Sequence, residues 1–327
     1  PMRAPEFWRQ KGSPLGAFLT PLGWGYGLAT RLRLTLANPF KAAVPVLCVG
    51  NLVAGGAGKT PVTLSLGKRL MDQGRKVHFL SRGYGGSQTG PLRVDPDSHR
   101  AVDVGDEALL LAAAAPTWIS RDRALGVRAA AEGTDLIIMD DGFQNPSVVK
   151  DLSLLVVDGG FGFGNGRMIP AGPLREPVAP ALGRAGALVV IGEDEAGIAN
   201  RPDVLTAGLP VLKAGVEPGP EAKGLKGNPV IAFAGIGSPE KFFDTLRRIG
   251  CNVVAVHAFR DHGLYSAGDI RGLKTEAGEK KAALVTTEKD FQRLPENERD
   301  SIRVLTITLQ WADEASLDAV LRPLFDD

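Results

Sequence analysis

Short apolar segments alternate with helix-like stretches along the first two thirds of the chain. Apolar strands are predicted at Val46–Val49, Lys76–Leu80, Thr117–Ser120, Leu136–Met139, Leu152–Val157 and Ala187–Ile191. Between them, helices are predicted to begin at Lys59, Asp106 and Asp122. This order of elements is typical of βαβ units and predicts an α/β domain built on a parallel sheet.

A second, shorter alternation of the same kind follows residue 229. Its predicted strands are Val230–Ala234, Val253–Val256, Ala283–Thr286 and Val304–Ile307, and its predicted helices are Pro239–Ile249, Ala267–Ala277 and Glu314–Leu324. The stretch Glu217–Pro229 is rich in Pro, Gly and charged residues, which indicates a linker. We therefore predict an N-terminal segment (1–40), a first α/β domain (41–216), a linker (217–229) and a smaller second α/β domain (230–327).

The N-terminal segment carries a different pattern. No charged residue occurs from Gly12 to Thr30, and basic residues stand on either side of this stretch, at Arg3, Arg9, Lys11, Arg31 and Arg33. Frequent Gly and Pro argue against a membrane-spanning helix, and no plausible signal-peptide cleavage site follows. The pattern predicts an amphipathic helical segment in a membrane interface, with a helix packed on its own domain as the alternative.

Composition narrows the possible partners. Hydrophobic residues make up 44% of the chain and charged residues 23%, which is ordinary for a globular protein. Because 38 Lys and Arg nearly balance 37 Asp and Glu, no overall positive field favours nucleic acid, and nothing in the sequence indicates an obligate protein partner. Cys48 and Cys251 lie far apart in predicted strands and are predicted to be core thiols.

A glycine-rich loop follows the first predicted strand and leads into a helix. This context is typical of a P-loop, in which backbone N–H groups cradle phosphates, Lys59 reaches the β and γ phosphates of ATP, and Thr60 binds Mg²⁺. The predicted nucleotide-binding residues are Val53, Ala54, Gly55, Gly56, Ala57, Gly58, Lys59 and Thr60. Val53 stands where the usual motif begins with Gly. A glycine-rich turn with a chance Lys-Thr pair is the alternative, and a dinucleotide-binding loop is less favoured.

Two adjacent acids end a later apolar strand, in the sequence LIIMDDGFQ. A carboxylate at the end of a neighbouring strand is where a P-loop protein holds a second Mg²⁺-binding group, which makes Asp140 and Asp141 candidate metal ligands with Thr60. Successive side chains of a strand point in opposite directions, so one acid would serve the metal while the other braces a loop. A solvated Asp-Asp-Gly turn is the alternative.

Seven short motifs occur along the chain in a specific order. They are VGNLVAGGAGKTP, LSRGYGG, VGDEALLL, DDGFQ, AGPLREP, AFRDHGLYS and TTEKDFQRL. In this combination the chain closely resembles the tetraacyldisaccharide 4'-kinase family of lipid A biosynthesis. One departure is visible, because Asn145 followed by Pro146 stands where the family often has His.

The resemblance implies a function. The γ-phosphate of ATP would be transferred, with Mg²⁺, to the 4'-hydroxyl of a lipid A disaccharide 1-phosphate to give lipid IVA. It also implies a P-loop kinase domain and a second domain that closes the active-site cleft. The enzyme would associate peripherally with the anionic cytoplasmic face of the bacterial inner membrane.

The resemblance also assigns roles to residues whose own context is ambiguous. Read alone, Asp106 is a helix N-cap, and His262 is a solvated loop residue. By resemblance, Asp106 is the base that accepts the proton of the acceptor hydroxyl, and His262 holds and tunes it from the second domain. Together with Lys59 they form the predicted catalytic set. Further candidates for phosphate, metal or sugar contacts are Arg82, Tyr84, Glu107, Arg121, Arg175 and Glu176.

Two other functions share some of these features. A P-loop GTPase or ATPase that acts as a switch or maturation factor needs the loop and the acidic strand end, but not Asp106, His262 or an amphipathic leader. A membrane-anchored binding module with a relict P-loop would bind ATP without transferring phosphate. The TTEKD motif (286–290) has no assigned role beyond lining the cleft.

Overall fold

A large, mostly parallel sheet organises the first part of the molecule. The computed structural model describes residues 5–326, so Arg3 lies outside it. The strands of this sheet are β1 (Val46–Gly50), β2 (Val77–Ser81), β3 (Leu92–Arg93), β4 (Thr117–Ile119), β5 (Leu136–Asp140), β6 (Leu152–Asp158), β7 (Ala187–Ile191), β8 (Val211–Pro218) and β13 (Ile307–Trp311). Their order is β13-β8-β7-β6-β1-β5-β2-β4-β3, with antiparallel pairing only at the two edges. The predicted α/β fold with a parallel sheet is confirmed.

A smaller, fully parallel sheet forms the second unit. It contains β9 (Pro229–Ala234), β10 (Asn252–Ala258), β11 (Ala283–Thr287) and β12 (Ile302–Leu305) in the order β10-β9-β11-β12. Alternate residues of β9 point to opposite faces, so Ala232 packs with Phe243 while Phe233 packs with Ile270. The sheet is therefore covered on both sides, as parallel sheets usually are.

Helices connect the strands of both sheets. They are α1 (Pro14–Thr35), α2 (Lys59–Asp72), α3 (Ala101–Val104), α4 (Asp106–Ala112), α5 (Arg123–Ala130), α6 (Val178–Leu182), α7 (Pro202–Ala207), α8 (Pro239–Arg248), α9 (Ala267–Lys280), α10 (Glu288–Phe291) and α11 (Glu314–Leu321). The strand β1 lies between β5 and β6 and is buried along its whole length. The loop after β1 therefore opens at the carboxyl edge of the large sheet, beside the end of β5.

The C-terminal residues correct the predicted domain boundary and the predicted strand Val304–Ile307. The chain leaves the small sheet at the end of β12, and β13 pairs with β8 in the large sheet. The side chain of Trp311 donates a hydrogen bond to Ser65 Oγ (2.9 Å), and Arg69 pairs with Asp318 (2.7 Å). These contacts hold α11 on the large sheet, so residues 307–321 do not belong to the second unit. The predicted linker is also shorter, because β8 extends to Pro218.

The glycines of α1 explain how a helix forms where the sequence is poor in helix formers. Gly16, Gly23 and Gly27 are the buried residues of this helix. A Cβ on Gly23 would lie 3.0 Å from the carbonyl oxygen of Met168, and one on Gly27 would lie 2.4 Å from the Met168 sulfur. The small face of α1 therefore fits closely against the segment around Met168, and this packing offsets the low helix propensity of glycine.

Candidate active site

The glycine-rich loop after β1 has the backbone geometry of a phosphate cradle. Gly55 (φ 120°) and Gly58 (φ 83°) adopt left-handed conformations that other residues rarely adopt. The buried side chain of Asn51 supports the loop by donating to the carbonyl oxygen of Val53 (2.9 Å). Gly58 immediately precedes α2, so Lys59 and Thr60 open the helix. Free N–H groups of a loop and a helix N-terminus together favour an anion such as a nucleotide phosphate.

Asp140 lies behind this helix and binds two hydroxyl groups. Thr60 Oγ1 donates to Asp140 Oδ2 (3.2 Å), and Thr63 Oγ1 donates to Asp140 Oδ1 (3.3 Å). The carboxyl group is 2% exposed, and this burial raises its pKa to about 7, with the carboxylates of Glu107 and Asp141 acting in the same direction and Lys59 opposing. A cation bound beside Asp140 would stabilise the charged carboxylate and so offset this rise in its pKa.

Asp141 points elsewhere and pairs with cations. Its Oδ1 lies 3.6 Å from Lys59 Nζ and 3.0 Å from Arg175 Nη1. Burial alone would raise the pKa of Asp141, but Lys59 and Arg175 hold it below its usual range. The residue has a left-handed backbone (φ 51°), a conformation that non-glycine residues adopt mainly at turns and functional sites.

A second cluster joins the two sheets of the molecule. His262 Nδ1 lies 3.2 Å from both carboxylate oxygens of Asp106, and Arg293 Nε lies 3.2 Å from Asp106 Oδ2. Burial alone would raise the pKa of Asp106, but His262, Lys289 and Arg293 hold it below its usual range. The carboxylate is therefore charged at neutral pH although it is 3% exposed. His262 also has a left-handed backbone (φ 55°).

This geometry corrects the interpretation of Asp106 as a helix N-cap. Gly105 precedes α4, and Asp106 is the first residue of the helix. Its carboxylate faces His262 and Arg293, and its contact with the helix is one hydrogen bond from the backbone N–H of Glu107 (2.9 Å). The side chain of Asp106 therefore points to the second unit, where His262 and Arg293 lie.

The two clusters face one cleft. A Cβ on Gly237, in the second unit, would lie 3.4 Å from the backbone N of Gly56 in the glycine-rich loop and 3.6 Å from Asp261 Oδ2. Glu107, next to Asp106, acts on the pKa of Asp140, which places the acids of both clusters within electrostatic reach. The glycine-rich loop of the large unit and the segment of the second unit around Gly237 and Asp261 therefore lie close together.

Comparisons with known proteins identify the family to which the chain belongs. The family model described as tetraacyldisaccharide-1-P 4'-kinase matches residues 15–326. The tetraacyldisaccharide 4'-kinase of Paramagnetospirillum magneticum is 54% identical over 326 residues, which cover 99% of this chain and 98% of that one. The chain belongs to this 4'-kinase family. The corresponding enzyme of Rhodospirillum centenum is 53% identical over 329 residues, which cover 99% of this chain and 97% of that one.

A solved structure agrees with the family assignment. A crystal structure of the 4'-kinase LpxK from Aquifex aeolicus in complex with ATP superimposes with a TM-score of 0.76. The two chains are 28% identical, and the match covers 95% of this chain and 100% of that one. The resemblance seen in the sequence motifs is thereby confirmed, together with the fold class.

The remaining predicted site residues of this 4'-kinase differ in how near they lie to the two clusters. The ring of Tyr84 contacts His262 edge-on, with centroids 5.0 Å apart. Arg175 binds Asp141, whereas Arg82 and Arg121 are exposed, and Arg121 donates to the carbonyl oxygen of Gly86 (3.4 Å).

The two secondary acids have protein partners. Glu107 pairs with Lys289 (2.9 Å) across the cleft. Glu176 is buried, forms an ion pair with Arg184 and accepts a hydrogen bond from Gln144 Nε2 (3.1 Å). Glu176 is thus satisfied by these two residues, whereas Glu107 shares its partner with the Asp106 cluster.

Several residues that the motif reasoning overlooked complete the site. They are Thr63, Arg123, Lys289 and Arg293. Arg123 donates to the carbonyl oxygen of Ser81 (3.1 Å) at the end of β2, and its burial lowers its pKa to about 10. Lys289 and Arg293 lie in the TTEKDFQRL motif, so the sequence did mark this segment. Their partners Glu107 and Asp106 belong to the large unit and can be identified only from the three-dimensional structure.

Asn145, the departure from the usual family motif, closes a turn. Its Oδ1 accepts hydrogen bonds from the backbone N of Ser147 (2.9 Å) and from Ser147 Oγ (2.7 Å). This is the side-chain-to-backbone pattern by which Asn stabilises turns. The amide therefore serves the backbone of its own loop.

An apolar surface covers the outer face of α1. Phe18 is 80% exposed, Trp24 66% and Leu22 63%, while the glycine face packs on the large unit. The glycine face therefore packs on the protein's own domain, which was the alternative for this segment, while the outer face remains apolar and exposed. Among residues 5–326, no helix is long and apolar enough to cross a membrane.

Proposed function

We propose that this chain transfers the γ-phosphate of ATP to the 4'-hydroxyl of a tetraacyldisaccharide 1-phosphate, giving lipid IVA. The observation that carries the proposal is the meeting of two clusters in one cleft, within a member of the 4'-kinase family. The loop cluster, with Lys59, Thr60 and Asp140, suits a nucleotide. The Asp106–His262 cluster stands opposite, where an acceptor hydroxyl would approach.

The residues present fit a nucleotide with Mg²⁺. The loop amides and Lys59 would hold the phosphates, and Lys59 is already oriented by Asp141. Thr60 Oγ1 and the Asp140 carboxylate lie side by side and offer oxygen ligands. Mg²⁺ in nucleotide sites commonly takes one or two such ligands from the protein, and phosphate oxygens and water complete its coordination. When bound, Mg²⁺ neutralises charge on the phosphate oxygens.

Asp106 accepts the proton of the acceptor hydroxyl. The 4'-oxygen forms a bond to the γ-phosphorus as the bond to the bridging oxygen of ADP breaks, and the hydroxyl proton passes to the Asp106 carboxylate. In a largely dissociative transition state this proton leaves late, so even the weakly basic carboxylate of Asp106 suffices. His262 and Arg293 hold the carboxylate in place before and after the transfer.

Closure of the second unit completes this set. Asp106 belongs to α4 of the large unit, whereas His262 and Arg293 belong to the small one. Opening of the cleft would separate them and admit the substrate, and closing would exclude water. Arg82, Tyr84 and Arg121 would contact the sugar or its 1-phosphate, with guanidinium groups suited to bidentate phosphate binding.

The apolar outer face of α1 supports a peripheral position of the active site at a membrane. Phe18, Leu22 and Trp24 would insert at headgroup depth, while Arg31 would face anionic lipid at the cytoplasmic surface of the inner membrane. Arg33, the other basic residue of this end, donates to the carbonyl oxygen of Gln144 (2.8 Å). The acyl chains of the substrate could then stay in the bilayer while its sugars reach the cleft.

Incubation with radiolabelled ATP, Mg²⁺ and the purified disaccharide 1-phosphate tests the proposal. We expect label in a lipid product whose 4' position is phosphorylated. Lys59→Ala and Thr60→Ala should each reduce the rate by about 100-fold or more, since each removes preorganised stabilisation of the transferring phosphoryl group. Lys68→Ala is the matched control, because Lys68 lies on the same helix in an exposed pair with Asp72.

The same assay decides between this function and a nucleotide switch. A switch or maturation factor would hydrolyse ATP or GTP without labelling lipid, and a relict binding module would bind ATP without turnover. Membership in the 4'-kinase family disfavours both. Nucleotide hydrolysis that the lipid leaves unchanged, with no labelled lipid, would contradict the proposed function.

A further inference from the structure

Lys289 reaches across the cleft from the motif TTEKDFQRL. It lies in the short helix α10, which Thr287 caps by accepting a hydrogen bond from the backbone N of Asp290 (3.1 Å). Its Nζ lies 2.9 Å from Glu107 Oε1 in the large unit and 3.4 Å from His262 Nε2 in its own unit. The ammonium group thus touches one member of the proposed catalytic pair on the side away from Asp106.

The contact restricts where His262 carries its proton. An ammonium group only donates hydrogen bonds, so the nitrogen it faces must offer a lone pair. A neutral imidazole with a lone pair at Nε2 carries its hydrogen at Nδ1, and Nδ1 is the atom that lies 3.2 Å from Asp106. The two contacts therefore select the same tautomer.

The charge of Lys289 is secured by its surroundings. Burial alone would lower the pKa of Lys289, but the carboxylates of Glu107 and Asp106 raise it above its usual value. The side chain is therefore an ammonium at neutral pH and has donors for both Glu107 and His262.

We propose that Lys289 is a positioning residue of the phosphotransfer site, which fixes His262 in the Nδ1–H tautomer and so orients the Asp106 carboxylate toward the acceptor hydroxyl. The inference rests on the proposed function. It also assigns a role to the ion pair between Lys289 and Glu107. Because this pair forms between the two units, Lys289 sets the tautomer of His262 when the units are together.

One neighbouring group competes for the same nitrogen. Asp261 Oδ1 lies 3.7 Å from His262 Nε2, is buried and has no hydrogen-bond partner among the described residues. A carboxylate at this position would favour the opposite tautomer, with hydrogen at Nε2. Removing Lys289 should therefore do more than loosen the ring, because Asp261 then becomes the nearest partner of Nε2 and draws the proton away from Nδ1.

The tautomer can be measured without the reaction. In protein labelled with ¹⁵N-histidine, the ring nitrogen shifts distinguish protonated from unprotonated nitrogens, and Lys289→Met removes the donor while keeping the side-chain length. We expect the Nδ1–H form of His262 in the wild type and a substantial Nε2–H population in Lys289→Met. Lys289→Arg, which keeps the charge and the donors, should retain the Nδ1–H form. The His262→Gln spectrum identifies the signal.

Kinetics provide the second readout. Lys289→Met should lower kcat roughly 10- to 100-fold, because the wrong tautomer is populated in part, while KM for ATP changes less than about twofold. Lys289→Leu is a second variant without a donor, in case Lys289→Met unfolds at a lower temperature than the wild type. Lys274→Met is the matched control, since Lys274 pairs with Glu298 within the second unit and touches neither His262 nor Asp106.

Two results would overturn the inference. One is a wild-type His262 with hydrogen at Nε2, and the other is a Lys289→Met variant with unchanged tautomer or unchanged kcat. Failure of the proposed function looks different. A wild type that labels no lipid would contradict the kinase reaction, and the histidine spectra would still decide whether Lys289 sets the tautomer.

Discussion

Thr60 Oγ1 lies 3.2 Å from Asp140 Oδ2, and the hydroxyl donates its proton to that carboxylate. The pair joins the first turn of α2 to the end of β5 beneath the phosphate loop. Thr63 donates to the other oxygen, so the carboxyl group is held by two neutral donors, and no cationic side chain of residues 5–326 forms an ion pair with it. In the absence of nucleotide and metal, this is an unfavourable place for a negative charge.

We therefore expect Asp140→Asn to stabilise the ligand-free protein at alkaline pH while abolishing activity. Because the folded-state pKa of Asp140 is raised to about 7, wild-type stability falls as the pH rises from about 4 to about 7, and the Asn variant avoids this loss. The gain should be at most roughly 4 kcal/mol above pH 8 and should vanish below pH 4. Urea unfolding in EDTA across this range measures it, and a gain independent of pH would contradict the assignment.

The Asp106–His262 contact predicts a specific pattern of kinetic losses. Asp106→Ala and His262→Ala should each lower kcat strongly, with KM for ATP nearly unchanged, because neither group contacts the loop that would hold the nucleotide. The double variant should be little worse than the worse single variant. His257→Ala is the control, since His257 pairs with Glu276 in the second unit, away from Asp106. Losses that multiply would mean that the two residues act independently.

Arg293 is expected to be essential for stability as well as for the site. It pairs with Asp106 and with Asp290, and all three side chains are almost fully buried. Arg293→Met would leave the buried carboxylate of Asp290 without its cation and remove one of the cations around Asp106, which should cost about 3 to 5 kcal/mol of unfolding free energy. Arg247→Met, which breaks an exposed pair with Asp244, should cost less than about 1 kcal/mol. Similar urea midpoints for both variants would show that the buried network is not stabilising.

The exposed face of α1 predicts membrane binding that washing can reverse. Replacing Phe18, Leu22 and Trp24 with Ser should weaken binding to anionic vesicles by roughly 100-fold or more and raise KM for the lipid, with ATP binding unchanged. Leu205→Ser is the control, because Leu205 is equally exposed but lies on α7. Flotation with vesicles measures the effect. Retention of the wild type after a carbonate wash would instead indicate a spanning anchor.

These substitutions test the membrane face more directly than removal of residues 1–38. Deleting the segment would uncover the surface around Met168 on which Gly23 and Gly27 pack, so it would disturb the fold and the membrane contact together. The serine substitutions leave the packed face of α1 intact.

Much of the fold could be predicted because its signals are local. Buried strands such as β1 and β5 are continuous apolar segments, and the glycine-rich loop followed by Lys-Thr predicts the start of the next helix. The edge strand β13 could not be recognised in the same way, since its residues resemble a continuation of β12. Only the change of pairing partner at Thr306 separates the two strands.

The residues of the site also differ in whether local sequence is enough to predict them. Lys59, Thr60, Asp140 and Asp141 could be named from spacing within one βαβ context. Lys289 and Arg293 could not, because their role depends on contacts with Asp106 and Glu107, which are far away in the chain. Burial of these ion pairs is a property of the assembled cleft, and no local pattern encodes it.

The register between β8 and β13 has a consequence for how such an enzyme can arise. Pro218 pairs with Ile307, and the backbone N of Gly219 donates to the carbonyl oxygen of Thr306 (2.9 Å). The chain thus leaves and re-enters the large sheet at one point, as the two arms of a β-hairpin do. Residues 219–306, with their own sheet and core, occupy the place of the hairpin turn. A single insertion of residues 219–306 at such a turn would therefore add the whole unit that carries His262, Lys289 and Arg293 and leave the order of the strands in the large sheet unchanged.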